Sequence, residues 1–150
     1  MDILFSNFYA NRALHSILFG DIALRHRLSM TELVILLFLH LNPDRNTARD
    51  IVQTLKVAKS HVSFSVRDLE TRGMLTGTHS EDNRRSIRLS LEKPAESIIR
   101  EGLLARDRFI EIVTEGFSAE DLERFADCMT RATKNINRFM KASETKEVTP

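Results

Sequence analysis

The sequence predicts a mainly α-helical protein with one small β-hairpin, and three observations lead to that expectation. Apolar residues recur at helical spacing along most of the 150 residues. One short stretch, 74–91, changes to the alternation of a half-buried strand. Capping residues and glycines mark helix starts and stops on both sides of it.

Taken in order, apolar residues first fall at Leu4, Phe5, Phe8, Ala13, Leu14, Ile17, Leu18, Ile22 and Leu24. That is a helix with a wide apolar face, expected to fray at its start and to break or bend near Gly20. Ser29-Met30-Thr31-Glu32 is a capping box opening a helix over 30–41. This helix is apolar on nearly every side, which makes it a buried one. Asn42-Pro43-Asp44-Arg45-Asn46 ends it with turn residues. Thr47 then caps a helix over 48–56, with Asp50 three residues on in a near capping box. Val57 and Ala58 make a turn, and a second run over 59–72 stops at Gly73. In that run Val62, Val66 and Leu69 step by four and three, which gives one buried face.

Strands over 74–78 and 86–91 flank the charged loop His79-Ser80-Glu81-Asp82-Asn83-Arg84-Arg85. Ile87, Leu89 and Leu91 alternate with Ser86, Arg88 and Ser90. The stretch therefore reads as helix, turn, helix and hairpin: a winged helix-turn-helix, a unit suited to holding DNA. Pro94 opens a helix reaching about Glu115, Gly116 ends it, and Ser118-Ala119-Glu120-Asp121 starts the last one. There Leu122, Phe125, Met129, Ala132, Ile136 and Phe139 step by threes and fours, the seam of a helix packed on another helix. The expected organisation is a helical dimerisation region over 1–42 and 94–140, including the buried support helix, with a winged helix-turn-helix lobe over 43–93. Residues 141–150, with Val148 as their one large aliphatic side chain, are expected to be a disordered tail.

Composition excludes several classes. The longest apolar run, 33–39, is far short of the roughly 18 residues that span a bilayer. Nothing at the N-terminus resembles a secretory signal. One cysteine, Cys128, allows no internal disulfide, and a cytoplasmic setting is expected. In the helical seam Cys128 reads as a small buried hydrophobe. The five histidines show no metal-ligand spacing, so no metal is expected. There is no phosphate-binding glycine loop, nucleophile elbow or paired-carboxylate site, so neither catalysis nor a cofactor is expected. Net charge is only +1. The distribution is more telling: residues 44–93 hold 10 Lys+Arg against 7 Asp+Glu, a surplus of three, and the remainder holds 12 against 14. The surplus of cations falls where phosphate would lie.

The order of elements and the hairpin residues resemble the MarR family of bacterial transcription regulators. The resemblance covers nearly the whole chain and is most specific at Leu69-Glu70-Thr71-Arg72-Gly73-Met74-Leu75, at Asp82-Asn83-Arg84 and at Leu91. It implies a homodimer joined by the terminal helices, with a recognition helix in the major groove and a wing arginine in the minor groove. By position Arg84 matches that arginine, Asp82 the acid that orients it, and 59–67 the groove-reading half of the recognition helix. It also implies a repressor of a pseudo-palindromic operator, with release by a small aromatic or lipophilic effector. Two departures stand out. Ala58 replaces the usual Ser or Thr cap of the recognition helix, and Leu91-Glu92-Lys93-Pro94 replaces the usual continuation of the second strand.

The residues expected to meet double-stranded DNA are Thr47, Lys59, Ser60, His61, Ser63, Phe64, Arg67, Asp82, Arg84 and Arg85. Most are donors for phosphates and base edges, and Phe64 is a ring that could lie on a thymine methyl. Each has a plainer reading. A loop arginine is usually solvated, Arg67 could pair with Glu70, and a large aromatic on a polar face more often packs against a neighbouring helix. For an effector, His15, Phe19, Met30 and Leu33 are expected to line a crevice. The alternative for the whole chain is a winged-helix protein-interaction module without specific DNA binding, kept open by Ala58 and by the modest surplus of positive charge.

Overall fold

The structure, a computed structural model, describes residues 2–79 and 86–146. Its helices are α1 (Ile3–Arg25), α2 (Met30–Leu41), α3 (Ala48–Leu55), α4 (Lys59–Thr71), α5 (Glu96–Val113) and α6 (Ala119–Lys146). The strands β1 (Leu75–His79) and β2 (Ile87–Leu91) lie between α4 and α5. The chain forms two compact units, Met1–Ile110 and Glu111–Pro150.

In the first unit, α2 is the centre. Ser29 and Glu32 form the expected box: the Ser29 N–H donates to Glu32 Oε2 at 2.7 Å and the Glu32 N–H to Ser29 Oγ at 3.2 Å. That arrangement satisfies Glu32, which is buried. Leu33, Ile35 and Leu36 are fully buried, and α2 touches α1, α4 and β2. Phe19, Ile22 and Ala23 of α1 and Ile98 and Ile99 of α5 complete this core.

Helix α1 differs from expectation in two respects. It begins at Ile3 with Asp2 as cap, the Leu4 N–H donating to Asp2 Oδ1 at 3.1 Å. It also runs unbroken through Gly20, where no atom would meet an added Cβ within 4 Å. A single glycine weakens a helix by about 1 kcal/mol relative to alanine but does not bend it, and the apolar face of α1 resumes at Ile22 and Ala23. Its end is tightly built. The Leu28 N–H donates to the Ala23 carbonyl at 2.8 Å and the Arg27 N–H to the Leu24 carbonyl at 3.1 Å. This is a Schellman stop, with Arg27 at φ +53° in the place glycine usually takes. Helix α4 stops in the same way, with Gly73 at φ +66° as the sequence predicts.

The hairpin is antiparallel, with Leu75 opposite Leu91, Gly77 opposite Leu89 and His79 opposite Ile87. Both strands begin one residue later than expected. Leu75 and Leu89 are buried and Leu91 half-buried, but Ile87 is 48% exposed because its cross-strand neighbourhood lies beyond the core. A contact that sequence periodicity did not predict extends the sheet: the Leu89 N–H donates to the Asn46 carbonyl at 2.8 Å, and Thr47 forms a bridge with Arg88.

A short 3₁₀ turn, Lys93–Ala95 with Pro94 in it, leads into α5. In the second unit Ser118 and Asp121 cap α6, with Ser118 Oγ donating to Asp121 Oδ2 at 2.7 Å. Helix α6 runs to Lys146, into the stretch expected to be disordered from residue 141. Lysine, alanine and glutamate favour helix, and low apolarity alone does not stop one. The seam residues of α6 are exposed, from Phe125 at 39% to Phe139 at 73%. Cys128, expected to be buried beside them, is exposed too.

Candidate nucleic-acid interface

Helix α4 is held from below by Val62 and Leu69, both fully buried, together with half-buried Val66. Buried Ser65 belongs to this face as well, which apolar spacing could not reveal. Lys59, Ser60, His61, Ser63, Phe64 and Arg67 are all exposed, so the structure brings six of the predicted DNA residues onto one surface. Of these, Ser60, Ser63, Phe64 and Arg67 follow the i, i+3, i+4, i+7 stripe of one helix side. Arg67 has no acidic partner among the described residues, and the neighbouring Asp68 pairs with Arg72 at 3.5 Å. Phe64 is 71% exposed, so it does not pack against a neighbouring helix.

Thr47 has a different place. Its hydroxyl donates to Asp50 Oδ2 at 2.6 Å and accepts from the Asp50 N–H at 3.2 Å, closing the box that starts α3. The Thr47 hydroxyl holds the Asp50 carboxyl below its ordinary range, with Arg45 and Arg49 adding to the effect. Asp82, Arg84 and Arg85 lie outside the described residues. Arg88, on the polar side of β2, donates to Asn46 Oδ1 at 3.1 Å.

Sequence reasoning missed Arg49 and Gln53. Both are exposed and, with Lys59 and Ser63, line a cleft of about 330 Å³ between α3 and α4. Polar spacing along α3 does not single them out, because their nearness to α4 exists only after folding.

Ala58 gives α4 no side-chain cap, as its identity predicts, although its backbone (φ −57°, ψ +139°) is extended as a cap requires. Ala58→Ser is therefore expected to stabilise the protein by about 1 kcal/mol. Urea unfolding should show a higher midpoint at unchanged m; an unchanged midpoint would mean that water already serves those N–H groups equally well.

For the predicted effector residues, the structure buries Phe19 and Leu33 in the core and leaves His15 and Met30 half-exposed. The His15 ring stacks on Phe19 at 4.4 Å, and burial lowers its pKa. Among the described residues no group of three or more His, Cys, Asp or Glu is placed to hold a metal, and no helix is long and apolar enough to cross a membrane.

Comparison with known proteins matches this geometry. Residues 28–92 match the family described as a winged helix DNA-binding domain, a stretch that takes in α2 as well as the hairpin. A putative MarR-family transcriptional regulator from Listeria monocytogenes, solved with a 26mer DNA, superposes with a TM-score of 0.81 at 15% identity, covering 97% of this chain and 95% of that one. The chain has the MarR fold. The S. aureus MepR–DNA complex gives a TM-score of 0.76 at 13% identity over 90% of this chain and 96% of that one. Bordetella bronchiseptica BpsR, whose DNA binding is regulated by 6-hydroxynicotinic acid, gives 0.66 at 14% identity over 88% and 99%. No curated protein matches by sequence. The expected resemblance thus holds as a shared MarR fold.

Proposed function

We propose that this chain is a homodimeric, sequence-specific DNA-binding transcription regulator of the MarR family, not an enzyme, and that it represses from a pseudo-palindromic operator. The observation that carries this reading is the exposed face of α4, where donors and one free aromatic ring stand opposite the buried Val62, Ser65 and Leu69. Two such helices held about 34 Å apart would read successive major grooves. Lys59 and Arg67 would meet phosphate, Ser60, His61 and Ser63 base edges, and Phe64 a thymine methyl. Arg84, oriented by Asp82 and flanked by Arg85, would enter the minor groove, whose negative potential attracts a guanidinium.

The exposed apolar residues of α1 (Ile3, Leu4, Phe5 and Phe8) and of α6 (Met129 and Ile136) support a dimer made by the terminal helices. A small aromatic or lipophilic effector that changes the spacing of the two α4 helices would bias the dimer away from its operator. The regulation of BpsR by 6-hydroxynicotinic acid supports that part of the reading. His15 and Met30 are the half-exposed members of the proposed effector set, with Phe19 and Leu33 beneath.

The exposure of Phe64 also favours a second reading, a protein-interaction module, because exposed aromatics anchor protein interfaces. Fluorescence anisotropy across a salt series, with duplex from upstream of the gene and scrambled competitor, separates the two. The regulator predicts specific binding, a steep salt slope and a loss on the order of tenfold or more in Arg84→Ala. It also predicts that Arg67→Ala lowers the salt slope by about one. Equal weak binding to both duplexes, indifferent to Arg84→Ala, would establish the interaction module instead.

A further inference from the structure

Arg72 ends α4, yet its side chain leaves the DNA-facing surface for the joint between α1 and α2. Its guanidinium donates through Nη2 to the His26 carbonyl at 2.7 Å and through Nη1 to the Arg27 carbonyl at 2.9 Å. Those carbonyls lie just past the Schellman stop of α1, which already uses the Ala23 and Leu24 carbonyls. They would otherwise face water at the negative end of the helix dipole, where a cation is favoured. Asp68, one turn back in α4, steadies the guanidinium at 3.5 Å. The same joint is gripped from α5. Glu101 accepts from the His26 ring Nε2 at 3.0 Å through Oε1, and its Oε2 forms an ion pair with Arg25 Nη2 at 2.8 Å. His26 thus takes α4 on its carbonyl and α5 on its ring.

We propose that Arg72 is a positioning residue whose fork fixes the end of α4 to the α1–α2 joint, and so sets the pitch of the recognition face. The role rests on the DNA-binding reading above. It requires two parallel N–H donors at once, which arginine has and lysine lacks. It also makes Arg72 part of the route by which a shift in α1 or α5 reaches α4, since the joint cannot move without pulling on the fork.

The test uses full-length Arg72→Lys and Arg72→Gln, with Glu101→Gln releasing the joint on its other side. Hydrogen exchange at the amides of Arg27, Leu28, Gly73 and Met74 is expected to quicken roughly tenfold in the Arg72 variants, and at Arg27 and Leu28 in Glu101→Gln. DNA affinity is expected to fall about fivefold in Arg72→Lys with the salt slope unchanged, because fewer molecules hold the competent geometry. Unchanged exchange would overturn the proposal. So would an affinity loss accompanied by a slope lower by about one, the mark of a phosphate contact. If wild type shows no salt-dependent DNA binding, the DNA reading fails on its own, and exchange at the same amides still decides whether the fork ties α4 to the joint. Should Arg72→Gln fail to fold, Arg72→Lys, which keeps the charge and loses only the fork, gives the answer.

Discussion

Leu36→Ala is expected to cost about 3–5 kcal/mol, toward the upper end for a buried leucine. Leu36 is fully buried in α2, the helix that α1, α4 and β2 all touch, so no single neighbour can move in to refill the space. Against a total stability of about 5–15 kcal/mol for a domain, such a loss brings the protein close to unfolding at ordinary temperature. Urea unfolding should show a greatly lowered midpoint with m unchanged. A cost below about 1 kcal/mol would mean that the core collapses around the gap, and that α2 is less central than its burial implies.

Gly102→Val should also be damaging, for the opposite reason. Gly102 faces Leu37 across the α2–α5 contact, and a Cβ there would lie 2.7 Å from Leu37 Cδ2 and 3.2 Å from Cγ. Alanine would need Leu37 to yield, but it gains about 1 kcal/mol of helix propensity and should come out close to neutral. Valine adds two further methyl groups and the stiffness of a β-branched residue, and overpacking of this kind costs about 1–3 kcal/mol. Leu37→Ala alone should also destabilise the protein. The pair Gly102→Val with Leu37→Ala should cost less than the sum of the two, since each fills what the other opens or clears. Additive costs in that double-mutant cycle would place the clash elsewhere.

The sequence expressed most of the fold because its helix ends are written in local chemistry. Ser29 with Glu32, Thr47 with Asp50, and Gly73 are each read from a few neighbouring residues, and each appears in the structure as a box or a stop. The buried face of α4 was legible from Val62, Val66 and Leu69 for a similar reason: a period is a local signal. What escaped was non-local. The bridge from Asn46 and Thr47 to β2 and the turning of Arg72 toward His26 depend on distant segments meeting, and no spacing encodes them. Arg27 was unreadable as a helix stop because arginine rarely takes a left-handed conformation; the buried Leu28 beyond it supplies the hydrophobic contact that holds the turn. Of the candidate DNA residues, the α4 set was legible because polar residues fall opposite an apolar stripe. The place of Arg49 and Gln53 beside α4 is not legible in the sequence, because it exists only after folding.

If the chain is the dimeric regulator proposed above, the apolar start of α1 bears on gene dosage. Leu4, Phe5, Phe8 and Tyr9 stand in solvent in the single chain, each more than half exposed. On the dimer proposal a second copy covers them, and burial by a partner stabilises only the associated form, so the melting temperature rises with protein concentration. A cell holding few copies would then have fewer regulators, each of them also less firmly folded. Occupancy of an operator would fall more steeply than copy number as synthesis slows, giving derepression a sharpness that needs no effector.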